Sequence, residues 1–471
     1  MRTTEEVRTS DTILQERETP PTGGVLQASL GAVGLAGFFF LLSSLFGDGP
    51  VWHALGAVVV APALFAFTLP MLARQAKREG DRTLFYILVL ALVLKLVGAL
   101  VRYFLGTNVY GGGVDARAYD IAGADLAADF KNGDFSGIEQ ATGTHFIDVL
   151  TGIVYTVIGR TMIGGFVFFS WLAFIGLFLF YRAFTIAVPE GRNRTYARFV
   201  FFLPSLLVWP SSIGKESWMM FCLGIIAFGA ANMLTGKMLK GIGIAAIGLW
   251  WAALPRAHIA GLAGVAIGLG IVLRRTRPEL RQLGPIIKIA SLALVAVAAI
   301  FFVGRASEFV QEAGINTEGG LASTLEEVAD QTGGGKSNFD APVITSPGRA
   351  PLAIFTVLFR PTLVDARSPT ALIAAAEGTF LVILTLLRFR WLFAAARLAR
   401  RRPYVTFAIA MVGALIVAFS AVSNLGILAR ERVQLLPFFF VLLSIPSKKW
   451  LAKREERHRL RQPVAFTQAG A

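Results

Sequence analysis

The sequence predicts an all-α, polytopic membrane protein: a transmembrane helical bundle of about twelve crossings. Three observations predict it. Apolar residues make up 55% of the chain, and apolar runs of about 20 residues, each long enough to cross a hydrocarbon core of about 30 Å, recur from end to end. These runs are continuous rather than alternating, so helices and not a closed barrel satisfy their backbone in lipid. Basic residues collect in short loops between the runs, as the cytoplasmic face of a membrane protein requires.

The basic loops set the topology. "RQAKREGDR" (74–82), "PEGRNRTYAR" (189–198), "TGKMLKG" (235–241), "RRTRPELRQ" (274–282) and "RFRWLFAAARLARRR" (388–402) are expected in the cytoplasm. Between them lie the expected crossings Val25–Phe46, Trp52–Ala73, Leu84–Leu105, Met162–Phe184, Phe199–Pro210, Glu216–Leu234, Ile242–Leu254, His258–Leu273, Ile286–Val303, Thr370–Leu387, Tyr404–Val422 and Val433–Ile445. Phe146–Ile158 is apolar but short, and reads as a segment that does not cross. Residues 1–24 read as a disordered cytoplasmic tail, 25–446 as the bundle and 447–471 as a basic cytoplasmic tail. Three polar stretches, 106–145, 304–350 and the short Ser423–Arg432, then fall outside. A helix is expected over Leu321–Gln331 in the second, as a lid or a static cap.

Charge and composition exclude several functions. The formal charge of +15 is explained by topology, so no nucleic-acid partner is implied. Cys222 is the single cysteine, which rules out an intrachain disulfide and a cysteine metal site. The four histidines are too few and too scattered for zinc. "GGGKSN" (333–338) lacks the full phosphate-loop pattern and reads as a flexible loop.

Some cations remain unexplained by topology. Lys215 in "WPSSIGKES", Arg256 and His258 in "LPRAHIAG", Arg360 in "LFRPTLVDARS", and Arg430 and Arg432 in "LARERV" are expected at the outer ends of helices. The positive-inside bias disfavours them there. Each is an interfacial anchor, or they converge on an anionic lipid headgroup, with a point charge from Lys and bidentate forks from Arg. Lys95, in the middle of an apolar run, needs a partner, and Glu377 at comparable expected depth is the candidate for a structural ion pair.

The first outer stretch, "NVYGGGVDARAYDIAGADLAADFKNGDF", reads as an acid-dotted helix after a glycine break. Asp115 suits either the helix N-terminus or a general base at the bilayer surface. The order of elements, an acidic outer loop opening with D-x-x-x-Y and followed by a short apolar segment, resembles GT-C superfamily glycosyltransferases. "DARAY" is similar to the "DE-A-x-Y" motif of the aminoarabinose and protein mannosyl transferase branches, with Ala116 in place of the second acid. "LPSLLVWPSSIGKES", "LFRPTLVDARSPTALIAAAEG" and "SNLGILARERVQLLPF" resemble a bacterial surface-polysaccharide branch of predicted membrane proteins.

That resemblance implies inverting transfer of a sugar from a polyprenyl-phosphate donor to an extracytoplasmic glycan or glycolipid acceptor. Asp115 would be the catalytic base and Asp120 the second candidate. Tyr119 and Glu216 would position the acceptor. Lys215, Arg256, His258, Arg360, Arg430 and Arg432 would hold the donor phosphate. A divalent metal is compatible, although no ligand set stands out. The implied place is a bacterial cytoplasmic membrane, with both termini inside and the active site outside. A polymerase or ligase acting on lipid-diphosphate glycans, and a lipid or glycan transporter, are the alternatives.

Overall fold

The computed structural model describes residues 50–109, 115–139, 141–273, 320–333, 337–366, 369–447 and 450. Among them the chain is helical, with one isolated antiparallel bridge between Asn338 and Asn424. The expected crossings Val25–Phe46 and Ile286–Val303, the N-terminal tail, the C-terminal tail apart from residues 447 and 450, and the glycine break before Asp115 lie outside the described residues.

The helices in order are α1 (Pro50–Glu79), α2 (Arg82–Phe104), α3 (Asp115–Lys131), α4 (His145–Ile158), α5 (Met162–Ala187), α6 (Asn193–Phe202), α7 (Pro204–Val208) and α8 (Lys215–Leu234). There follow α9 (Met238–Val272), α10 (Gly320–Thr332), α11 (Ala350–Phe359), α12 (Pro369–Leu387), α13 (Phe389–Ala399), α14 (Pro403–Phe419), α15 (Leu425–Glu431) and α16 (Leu436–Leu443). Among the described residues five helices are long and apolar enough to cross a membrane, or up to six if the bent pair of α12 and α13 is taken as one span. The expected twelve crossings are not confirmed.

Proline accounts for much of the difference. The expected crossing Phe199–Pro210 is two short helices, α6 and α7. Leu203 between them is extended, at φ −69° and ψ 128°, because the ring of Pro204 disfavours helix in the residue before it. The expected crossings Ile242–Leu254 and His258–Leu273 follow each other as the two arms of α9, which breaks between them where Arg256 leaves helical geometry (φ −149°, ψ 75°) after Pro255. Proline cannot donate to the carbonyl four residues back, and its ring crowds that turn. The expected crossing Val433–Ile445 is the end of a broken segment: α15, a 3₁₀ turn (Arg432–Gln434) and α16, which has Pro437 in its first turn. The expected basic loop at 388–402 contains a helix, α13, bent by 67° from α12.

The chain divides into two compact units, Met1–Phe178 with Phe201–Leu223 and Leu179–Val200 with Gly224–Ala471. In the first unit, one face of α2 reads the end of α7 at helical spacing. Lys95 donates to the carbonyls of Leu206 (2.7 Å) and Leu207 (3.5 Å). A Cβ at Gly98 would overlap the Leu207 carbonyl oxygen, so only glycine allows this approach. Arg102 lies over the Trp209 ring at 5.0 Å. Positions i, i+3 and i+7 share a helix face, which is why Lys95, Gly98 and Arg102 all meet the segment Leu206–Trp209.

In the second unit, close helix packing again uses glycine. A Cβ at Gly241 would meet Met233, and one at Gly248 would meet Ile226. Aromatic side chains fill the space around α16, with Phe438 edge-on to Phe180 at 5.0 Å and to Phe407 at 5.6 Å. The helix expected over Leu321–Gln331 forms as α10. It is tied to the α14–α15 turn: Ser423 Oγ donates to Ala329 O at 2.6 Å, and Ser423 N donates to Thr332 Oγ1 at 3.0 Å. Leu325, Val343 and Ala421 form a small apolar cluster beneath it.

Candidate active site

In the first unit the site residues lie on α3, α4 and the start of α8. Asp115 opens α3 and is exposed, while Tyr119 and Asp120 one turn on are buried, 6% and 3% exposed. The helix is held by Asp120. Tyr155 of α4 donates its hydroxyl to one carboxylate oxygen at 2.6 Å, and Arg160, just past α4, donates to the other at 2.9 Å. Burial and the Asp120 carboxylate both push the Tyr155 phenol up, so it remains a donor. Close packing of α3 on α4 is set by Gly123 and Gly152, whose added Cβ atoms would press on Thr151 and Leu126.

The "WPSSIGKES" segment reaches the same region. After α7 the backbone is irregular yet buried from Pro210 to Gly214, and α8 starts at Lys215. Irregular backbone away from water needs side-chain partners. Ser211 Oγ donates to Leu207 O (2.6 Å), and Ser217 Oγ donates to Ser212 O (2.7 Å). A Cβ placed on Gly214 would stand 3.3 Å from Glu216 Oε2 and 3.8 Å from the Tyr119 ring, so the turn lies against both expected positioning residues.

Lys215 Nζ donates to Thr144 Oγ1, at the N-terminus of α4, at 2.7 Å. His145 follows, its Nε2 3.0 Å from Gly137 O and its Nδ1 3.5 Å from Asp148 Oδ2. Burial pushes the Asp148 carboxyl up, against the opposing pull of His145 and Lys215. Thr144, Asp148, Tyr155 and Arg160 were not singled out from sequence. The available signal was the position of Tyr155 and Arg160, one polar group on an apolar segment and one cation just past its glycine end.

The second unit holds the remaining cations, three of which face carboxylates. Arg256, at the non-helical break of α9 where the sequence expects one helix to end and the next to begin, forms a two-pronged pair with Glu431, one prong being Nη2–Oε1 at 2.7 Å. Gln434 Nε2 donates to the same carboxylate at 2.5 Å. His258 lies two residues past the kink, within α9. Arg360 makes two bonds to Asp365, at 3.2 and 2.6 Å, and lies over the Phe339 ring at 4.6 Å. Those bonds, with two from Thr362, pull the Asp365 carboxyl down to about 2.

Arg432 is 1% exposed and donates to the carbonyls of Leu358 (3.2 Å) and Arg360 (2.8 Å), at the C-terminal end of α11. Glu377 Oε1 is 3.7 Å from its Nη2. Gly378 beside Glu377 packs on the same turn, where a Cβ would overlap the carbonyls of Phe359 and Pro361. The expected Lys95–Glu377 pair is therefore replaced: Lys95 takes backbone carbonyls, and Glu377 faces Arg432. A helix end presents partial negative charge that satisfies a buried cation without a carboxylate. Arg430, two residues before Arg432, is half-buried on α15.

Among the described residues no group of three or more His, Cys, Asp or Glu side chains gathers to hold a metal ion. Comparison with family models, with curated proteins and with solved structures found no match to this chain.

Proposed function

We propose that the chain is a membrane glycosyltransferase of the GT-C type. It transfers a sugar with inversion from a polyprenyl-phosphate donor to a glycan or glycolipid outside a bacterial cytoplasmic membrane. The observation that carries this reading is the meeting, within the first unit, of the two sequence pieces that suggested it. Tyr119 of the "DARAY" helix stands against the Gly214 turn that leads into Lys215 and Glu216.

Exposure supports Asp115 over Asp120 as the base. Asp120 is 3% exposed and accepts hydrogen bonds from Tyr155 and Arg160 within the α3–α4 packing, whereas Asp115 is exposed to solvent at the start of the same helix. In the proposed reaction Asp115 takes the acceptor hydroxyl proton. The hydroxyl oxygen bonds to the sugar's anomeric carbon, and the bond from that carbon to the phosphate oxygen breaks. The electron pair leaves with polyprenyl phosphate. In this reading Lys215, at the start of α8, offsets charge on the leaving phosphate. A polymerase acting on diphosphate-linked glycans would lean on Arg430 and Arg432. Arg432 is buried against two carbonyls and Glu377, which favours the transferase.

The test is reconstitution of the purified chain in proteoliposomes with labelled polyprenyl-phosphate hexoses and pentoses. Donor-dependent transfer to lipid-linked or glycan acceptors supports the reading. Inactivity with these donors, with activity on diphosphate-linked oligosaccharides, overturns it.

A further inference from the structure

Helix α13 follows α12 at a 67° bend. The 19 residues of α12 (Pro369–Leu387) already reach about 28 Å at 1.5 Å per residue, close to a full hydrocarbon core, so α13 is not needed to complete a crossing. Its residues divide into three sectors at 100° per residue. Trp391 and Ala395, 6% and 1% exposed, pack inward. Phe389 and Phe393, one turn apart, are 48% and 62% exposed and continue the exposed apolar stripe of Leu386 and Leu387. Arg390 and Arg397 form an exposed edge beside the two phenylalanines.

The inward side is anchored by stacked cations and rings. Arg388 lies over Trp391 at 4.3 Å and Phe199 at 4.9 Å, and donates to Leu443 O at 2.7 Å. Trp391 meets Trp450 edge-on at 5.7 Å, and Arg192 covers Trp450 at 4.3 Å. Tryptophan and arginine in this density mark the headgroup level of a bilayer.

We infer that α13 lies in the plane of the membrane surface and that its Arg390–Arg397 edge binds the phosphates of anionic phospholipids. Phe389 and Phe393 enter the acyl region beside those phosphates, as on interfacial amphipathic helices. The occupant follows from charge complementarity. A cationic edge flanking an apolar face calls for a surface that is anionic above and apolar below, and a second copy of this +15 chain offers no such complement.

The test uses the full chain, purified in detergent and titrated with phosphatidylglycerol or phosphatidylcholine under native mass spectrometry. The wild type should retain phosphatidylglycerol preferentially. Arg390→Gln with Arg397→Gln should cut that preference about tenfold or more. An unchanged preference overturns the binding edge. In parallel, a spin label on Phe393→Cys is read in phosphatidylglycerol/phosphatidylcholine nanodiscs. Cys222 is buried and stays unlabelled. A label in contact with oxygen-rich hydrocarbon supports the placement. A water-exposed label, or one immobilised or broadened by a second copy, overturns it.

Discussion

Lys95 donates its ammonium to the carbonyl of Leu206 at 2.7 Å, closing the C-terminal end of a helix that proline has cut short. Arg432 does the same for α11 through Leu358 and Arg360. Each unit thus places a buried cation on the exposed carbonyls of a short helix, where the helix dipole is negative. Irregular backbone follows both ends, and these caps let it persist away from water.

Lys95→Met removes that donor and strands the Leu206 carbonyl. The expected loss is about 1–3 kcal/mol, read as a lower midpoint in denaturant titration of the detergent-solubilised chain. Because Glu377 faces Arg432 and not Lys95, combining Lys95→Met with Glu377→Gln should give additive losses. Strong coupling between the two changes would restore the ion pair expected from sequence.

Tyr155→Phe removes one bond to the Asp120 carboxylate while keeping the ring. Bonds to charged groups contribute about 1.5–3 kcal/mol. The loss should appear locally, as faster amide exchange over α3 and α4 than over α2. Arg160→Gln should have a smaller effect, since its side chain is 46% exposed and the pair is partly solvated.

Glu431→Ala removes the carboxylate that pairs with Arg256 at the break of α9, at a cost of about 3–5 kcal/mol. Adding Arg256→Met should recover part of that loss, because the buried charge is then gone. A double-mutant cycle without coupling would contradict the pairing.

The Arg360–Asp365 link gives a signed pH dependence. Asp365 is held down to about 2, below the ordinary aspartate value of about 3.9. A depressed carboxyl contributes stability that is fully present above its unfolded value and is lost as pH falls through the folded one. The turn after α11 should therefore hold unchanged from neutral pH down to about 4, and loosen only towards pH 2. Asp365→Asn should remove this acid-range change, measured as protease cutting of the turn against pH.

The parts of the fold legible in the sequence were those with a local signature. The acidic, alanine-rich pattern from Asp115 gave α3, the short apolar run gave α4, and the polar stretch near Leu321 gave α10. Hydropathy cannot tell a crossing from a buried run cut by proline, so Pro204, Pro255 and Pro437 turned expected crossings into fragments or a kink. The arginines of 388–402 resembled a loop because charge count hides the three-sided pattern of α13. The partner of Lys95 was illegible for a different reason: a carbonyl belongs to every residue and carries no letter. Glu431 stands 175 residues from Arg256, and only folding reveals that the kinked helix and α15 share a charge pair.

The most direct measurement is the initial rate of sugar transfer by Asp115→Asn beside Asp120→Asn, in proteoliposomes with matched protein content. Loss of a general base should slow Asp115→Asn by about a hundred- to ten-thousandfold, with insertion and denaturation midpoint unchanged. Asp120→Asn should act instead through the hold of α3 on α4, lowering the rate in step with stability. A wild-type rate in Asp115→Asn would contradict the account.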